Sequence, residues 1–151
     1  MLLKTHLLVG LFFALLLLPS ENKLTFVLIV LLASIIPDVD SRFSKIGKKK
    51  TFRILQFFVK HRGVVHSLTF LIIIGGVLWY IFPLGFLPFL VGFGSHLLID
   101  SLTRQGIRPF YPFKFKIKGI IRTGRRWETV VFVLFLLGDL VLIFDRFFSV
   151  F

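Results

Sequence analysis

The chain has 151 residues, 56% of them hydrophobic, a mean hydropathy of +0.92 and a formal net charge of +12. A soluble domain of this length is not so apolar, and a chain without cysteine holds neither disulfides nor thiolate metal sites. The composition implies one membrane-embedded domain, 1–151, in which each polar residue needs a reason.

Apolar runs recur at roughly 2–18, 24–36, 64–82, 84–99 and 129–148. Each is near the ~20 helical residues that cross a ~30 Å hydrocarbon core, although the second is short. None alternates in polarity, which excludes a membrane barrel. The pattern predicts an all-α, polytopic membrane protein with about five transmembrane helices. The first run has a lysine, Lys4, before a leucine-rich core, as a signal peptide does. However, "LLLLPSENK" offers no small-x-small cleavage site and the chain beyond stays membrane-like, so the run is read as a retained helix. Between the fourth and fifth runs, "FKFKIKGIIRTG" alternates apolar and basic residues. This predicts a short interfacial hairpin or loop turning near Gly119. Phe113, Phe115 and Ile117 would face apolar material, and Lys114, Lys116 and Lys118 would face water.

Five spans put the N-terminus, the loop 37–63 and the loop 100–128 on one side. Of 19 Lys and Arg residues only Lys23 and Arg146 fall on the other side, leaving 17 on the first. The positive-inside rule makes that first side cytoplasmic, with the C-terminus external. The basic segments "RFSKIGKKKTFR" and "RTGRR" would lie against anionic lipid headgroups. A basic face alone does not argue for nucleic acid.

The same topology gathers the ionisable residues. His6 lies in the first turns of helix 1, and Asp38 and Asp40 in "IIPDVD" follow helix 2. His61 and His66 in "HRGVVHS" open helix 3, His96 and Asp100 in "GSHLLID" close helix 4, and Glu128 opens helix 5. All four histidines and four of the seven acidic residues thus share one membrane level. Each has an ordinary reading alone. His96 and Asp100, four apart, share a helix face and suit a hydrogen-bonded pair. Asp38 after Pro37 suits a helix-ending turn. Glu128 suits a helix N-terminus on dipole grounds. Together, imidazoles and carboxylates from four helices call for a cation, without which the carboxylates would repel one another. The donor set suits one or two divalent ions, zinc first, with manganese or iron as alternatives.

The motifs "PDVD", "HRGVVHS" and "GSHLLIDSLTRQG", followed by "RPFYP", resemble those of the YdjM-like family of membrane-bound metal-dependent hydrolases. The resemblance runs from Thr5-His6 to "TGRRWE" at 123–128, with Val65 where that family usually has threonine and Arg125 where serine is expected. It implies a multi-pass protein of the inner membrane. It also implies hydrolysis of a phosphoester or lipid-linked, amphiphilic substrate at the cytoplasmic leaflet. The metal-ligand candidates are His6, Asp38, Asp40, His61, His66, His96 and Asp100. Asp38, His66 and Arg62 are the catalytic candidates, Arg62 and Arg104 the candidates for holding an anionic group, and Glu128 a further candidate. The alternative is a non-catalytic membrane protein with a structural or regulatory metal and a basic partner-binding face. A transporter ranks last, because the far half of helices 1 to 4 is almost wholly apolar.

Overall fold

The computed structural model describes residues 1–40 and 64–148. Among the described residues there are five α-helices and no strands. They are α1 (Leu3–Leu16), α2 (Lys23–Ile35), α3 (Leu68–Ile81), α4 (Pro83–Ser101) and α5 (Arg126–Phe148), and α2 continues into a 3-10 turn, Ile36–Asp40. The five apolar runs thus each form one helix. α3 starts later than its run because Ser67 caps it: the Ser67 hydroxyl accepts from the Phe70 amide at 3.1 Å and donates to the Val64 carbonyl at 2.5 Å. α4 opens with Pro83, whose ring suits a first helical turn.

Two of the helices, Pro83–Ser101 and Arg126–Arg146, are long and apolar enough to cross a membrane. α1 and α3 have 14 residues each and α2 has 13. At ~1.5 Å per residue these rise only about 20 Å.

The helix α4 is central and packs against α1, α2 and α3, whereas α5 packs against α1. The contrast in cover is large: 56% of the α4 span is buried, against 11% of the α5 span. Small residues set the approach of the central helices. At Gly92 of α4 a Cβ would lie 2.2 Å from the Val30 carbonyl oxygen of α2, so only glycine fits. Gly10 of α1 faces Ser34 of α2 in the same way, with a Cβ-to-Cβ distance of 3.0 Å. Phe89, Phe93, Leu97 and Ala33 fill the space beside these contacts.

Two polar contacts fix the direction of α1 against α5. At one end Glu128 accepts hydrogen bonds from the Leu2 amide (2.6 Å) and the Thr5 hydroxyl (3.1 Å). At the other end Arg146 donates to the Leu15 carbonyl at 2.8 Å. The two helices therefore run parallel.

The segment between α4 and α5 reverses as expected, but in a different place. Ile107 and Ile117 form an antiparallel bridge with two 3.0 Å hydrogen bonds, and Thr103 and Ile121 a parallel one. The reversal lies between residues 107 and 117. Gly119 is instead a point of close contact: its amide donates to the Thr103 carbonyl, and a Cβ there would sit 2.1 Å from the Leu102 oxygen. Phe113, Phe115 and Ile117 are exposed together with Lys114, Lys116 and Lys118. The alternation does not sort these residues into a buried and an open face, because among the described residues no element packs over either side.

Candidate metal centre

The 3-10 turn after α2, the start of α1, the entry to α3 and the last turns of α4 meet at one end of the bundle. Each element brings one or two ionisable side chains there. His6, His66, His96 and Asp100 are fully buried or nearly so, and Asp38 is 6% exposed. Two sets have ligand atoms within 4.8 Å of one another: His6, Asp38 and His96, and His66, His96 and Asp100. His96 belongs to both.

Local chemistry explains how each side chain is held. The His96 Nδ1 lies 2.7 Å from the Ser34 main-chain oxygen. A carbonyl only accepts, so Nδ1 carries the hydrogen and Nε2 is left with its lone pair toward the cluster. Both sets must use that one nitrogen in common. His6 stacks on His96 with ring centroids 3.8 Å apart and an interplanar angle of 11°. His66 meets His96 edge-on at 5.4 Å. Its position is fixed from two directions, by the capping hydroxyl of Ser67 and by the Pro109 carbonyl, which accepts from the amides of Leu68 (2.9 Å) and Thr69 (3.3 Å).

Asp100 is the charge at the centre. Its Oδ1 lies 3.4 Å from His6 Nε2, and its Oδ2 lies 3.8 Å from His66 Nε2 and 3.9 Å from His96 Nε2. The Met1 amino group also reaches Oδ1, at 2.6 Å. The site thus already attracts a cationic group. Around it, both ring nitrogens of His6 and the Nε2 of His96 are buried with no hydrogen-bond partner among the described residues. An unsatisfied buried polar atom costs roughly 1–3 kcal/mol, and the two Nε2 atoms beside the Asp100 carboxylate are a donor set that could hold an ion. The residues present fit a divalent metal.

The structure brings together His6, Asp38, His66, His96 and Asp100. His61 and Arg62 lie outside the described residues, as does the side chain of Asp40. Arg104 is exposed, four residues beyond Asp100, with its amide bonded to the Ile121 carbonyl at 2.9 Å. Glu128 has a mechanical place: besides Leu2 and Thr5 it accepts from the Gly124 amide at 2.5 Å, tying the start of α1 to the start of α5. The sequence reading missed the main-chain oxygens of Ser34 and Pro109 and the Met1 amino group. Main-chain atoms carry no residue signature, although Ser34 among small residues marks a close helix approach.

Residues 1–148 match the family described as YdjM inner membrane protein. The uncharacterized protein YvsG of Bacillus subtilis (strain 168) is 31% identical over 96 residues, covering 56% of this chain and 56% of its own length. The chain thus spans about half the length of that curated relative. No solved structure matches.

Proposed function

The chain belongs to the YdjM inner membrane protein family, and we propose that it is a membrane-bound, metal-dependent hydrolase. Its substrate is a phosphoester or lipid-linked amphiphile at the cytoplasmic leaflet. Five spans hold it in the membrane, with the N-terminus and the metal centre on the cytoplasmic side and the C-terminus outside. The reading rests on one observation above all, the buried Nε2 atoms of His6 and His96 that lie beside Asp100 without hydrogen-bond partners among the described residues.

His6, His96, Asp100 and either Asp38 or His66 would hold the ion, zinc first among the candidates. A divalent metal there would supply Lewis-acid polarisation and an activated water. The chain's own part is to orient and to exclude. Ser34 fixes the His96 ring, Ser67 and Pro109 fix His66, and the packed ends of α1, α2 and α4 keep bulk solvent out. Asp38 and His66 are the groups placed to hold a proton. Arg62, outside the described residues, and Arg104 would be the cations that receive an anionic headgroup. Because both ligand sets share one His96 nitrogen, a single ion is the simplest occupancy.

The burial of the cluster favours a second reading, a closed structural metal that stabilises the bundle while the basic face binds a partner. Metal analysis of the purified protein, followed by a phospholipid and phosphoester panel with the metal-loaded form, separates the two. Divalent metal with turnover that His66→Ala abolishes supports the hydrolase. Full metal loading with no turnover across the panel gives the structural reading the lead.

A further inference from the structure

At the start of α1, whose Thr5 precedes His6 of the metal centre, lies a cavity of about 170 Å³. Lys4 and Thr5 of α1 and Arg125, Glu128, Thr129 and Phe132 at the start of α5 line it. Its charge is set by two cations and one carboxylate. The carboxylate is engaged, because Glu128 accepts from Leu2, Thr5 and Gly124. The Lys4 ammonium sits 4.8 Å above the Phe132 ring, which holds it at the cavity wall.

A second, open groove of about 360 Å³ runs along α5, lined by Arg126, Thr129, Val130, Val133 and Leu134. Thr129 belongs to both walls, so the two spaces adjoin. Their polarity changes in order along the helix. Arg125 and Arg126 stand at the end that carries the basic loop, Thr129 follows one turn on, and Val130, Val133 and Leu134 continue toward the apolar middle of α5. Headgroup chemistry in the cavity and acyl-chain chemistry on the neighbouring face of the same helix, joined at Thr129, match one kind of ligand.

We infer that the start of α1 and the first three turns of α5 form a binding site for a single anionic phospholipid. Its phosphate sits between Lys4 and Arg125, and one acyl chain lies along Val130, Val133 and Leu134. Lys4 and Arg125 supply the charge complementarity that selects an anionic over a zwitterionic headgroup. The site goes beyond the hydrolase reading, since none of its side chains belongs to the metal-ligand set and it needs no turnover.

Native mass spectrometry of the full chain released from nonionic detergent tests it, titrated with phosphatidylglycerol, phosphatidylcholine or sn-glycerol 3-phosphate. The expected result is one phosphatidylglycerol adduct per chain, roughly tenfold weaker in Lys4→Gln/Arg125→Gln. Val133→Trp, which fills the groove without altering charge, should weaken it independently. Circular dichroism and bound-metal content of both variants, unchanged from the parent, exclude misfolding as the cause. Equal phosphatidylglycerol retention by the parent and both variants would overturn the site. So would sn-glycerol 3-phosphate binding as tightly as the lipid, because the groove would then contribute nothing, or phosphatidylcholine binding as tightly as phosphatidylglycerol.

Discussion

The Nδ1 nitrogen of His96 lies 2.7 Å from the main-chain oxygen of Ser34, one helix away and 62 residues earlier in the chain. This contact ties the metal centre to the packing of α2 on α4. It exists because Gly92, one turn before His96, lets the two backbones touch. Replacing that glycine is therefore a test of the site as well as of the fold. In Gly92→Ala the new Cβ would meet the Val30 carbonyl oxygen at 2.2 Å, which is backbone and cannot swing aside. The helices must separate, at a cost of about 1–3 kcal/mol. Lowered thermal stability in detergent together with lowered metal content is the expected result. Gly94→Ala is the control, since nothing lies within 4 Å of a Cβ there; it should leave both measurements unchanged.

Metal content should depend on the end of α4 and be indifferent to the middle of α5. His96→Ala combined with Asp100→Ala removes the nitrogen common to both ligand sets and the central carboxylate. Elemental analysis should find most of the divalent metal gone. Retained stoichiometry would sink the centre. Asp139 is the contrasting case, a 2% exposed carboxylate in the middle of α5 whose two oxygens have no hydrogen-bond partner among the described residues. Asp139→Leu should keep full metal content. It should also raise stability by roughly 1 kcal/mol or more, because an unsatisfied buried polar group is removed.

Glu128 should behave as a clamp. Its carboxylate holds two donors of α1 and one amide before α5. Glu128→Ala strands the Leu2 amide and the buried Thr5 hydroxyl, at a cost of about 2–3 kcal/mol. Because His6 follows Thr5 directly, the same variant should bind metal more weakly, as measured by competition with a chelator. Weakened stability with unaltered metal affinity would mean that the start of α1 holds its place without the clamp.

The site was legible in the sequence to the extent that side chains compose it. Hydropathy located all five helices, and alternating helix direction then put His6, Asp38, His66, His96 and Asp100 at one end of the bundle, where the structure has them. The period-2 pattern at 113–118 was a weaker guide. It predicted a turn at Gly119, but Gly119 is small because Leu102 presses against it, which only the tertiary contact reveals. Glu128 illustrates a different limit. Its dipole-based placement at a helix N-terminus was sound, yet the hydrogen bonds that define its part come from residues more than 120 positions away.

One pair of contacts bears on the proposed topology. α1 and α5 run parallel, held by Thr5 to Glu128 at one end and Leu15 to Arg146 at the other. Five spans would leave 17 basic residues on the first side and two on the second (Lys23 and Arg146), the asymmetry from which the proposed orientation is read. As spans, α1, α2 and α3, each rising about 20 Å against a ~30 Å core, would need local thinning or flanking residues that reach the interface. A reporter fused after Phe151 should accordingly read as external, and one placed near Lys49 as cytoplasmic. A cytoplasmic reading after Phe151 would leave an even number of crossings. The bundle end that holds Asp38, His66 and Asp100 would then need to be reassigned to a membrane side, and hydrolysis at the cytoplasmic leaflet would lose its support.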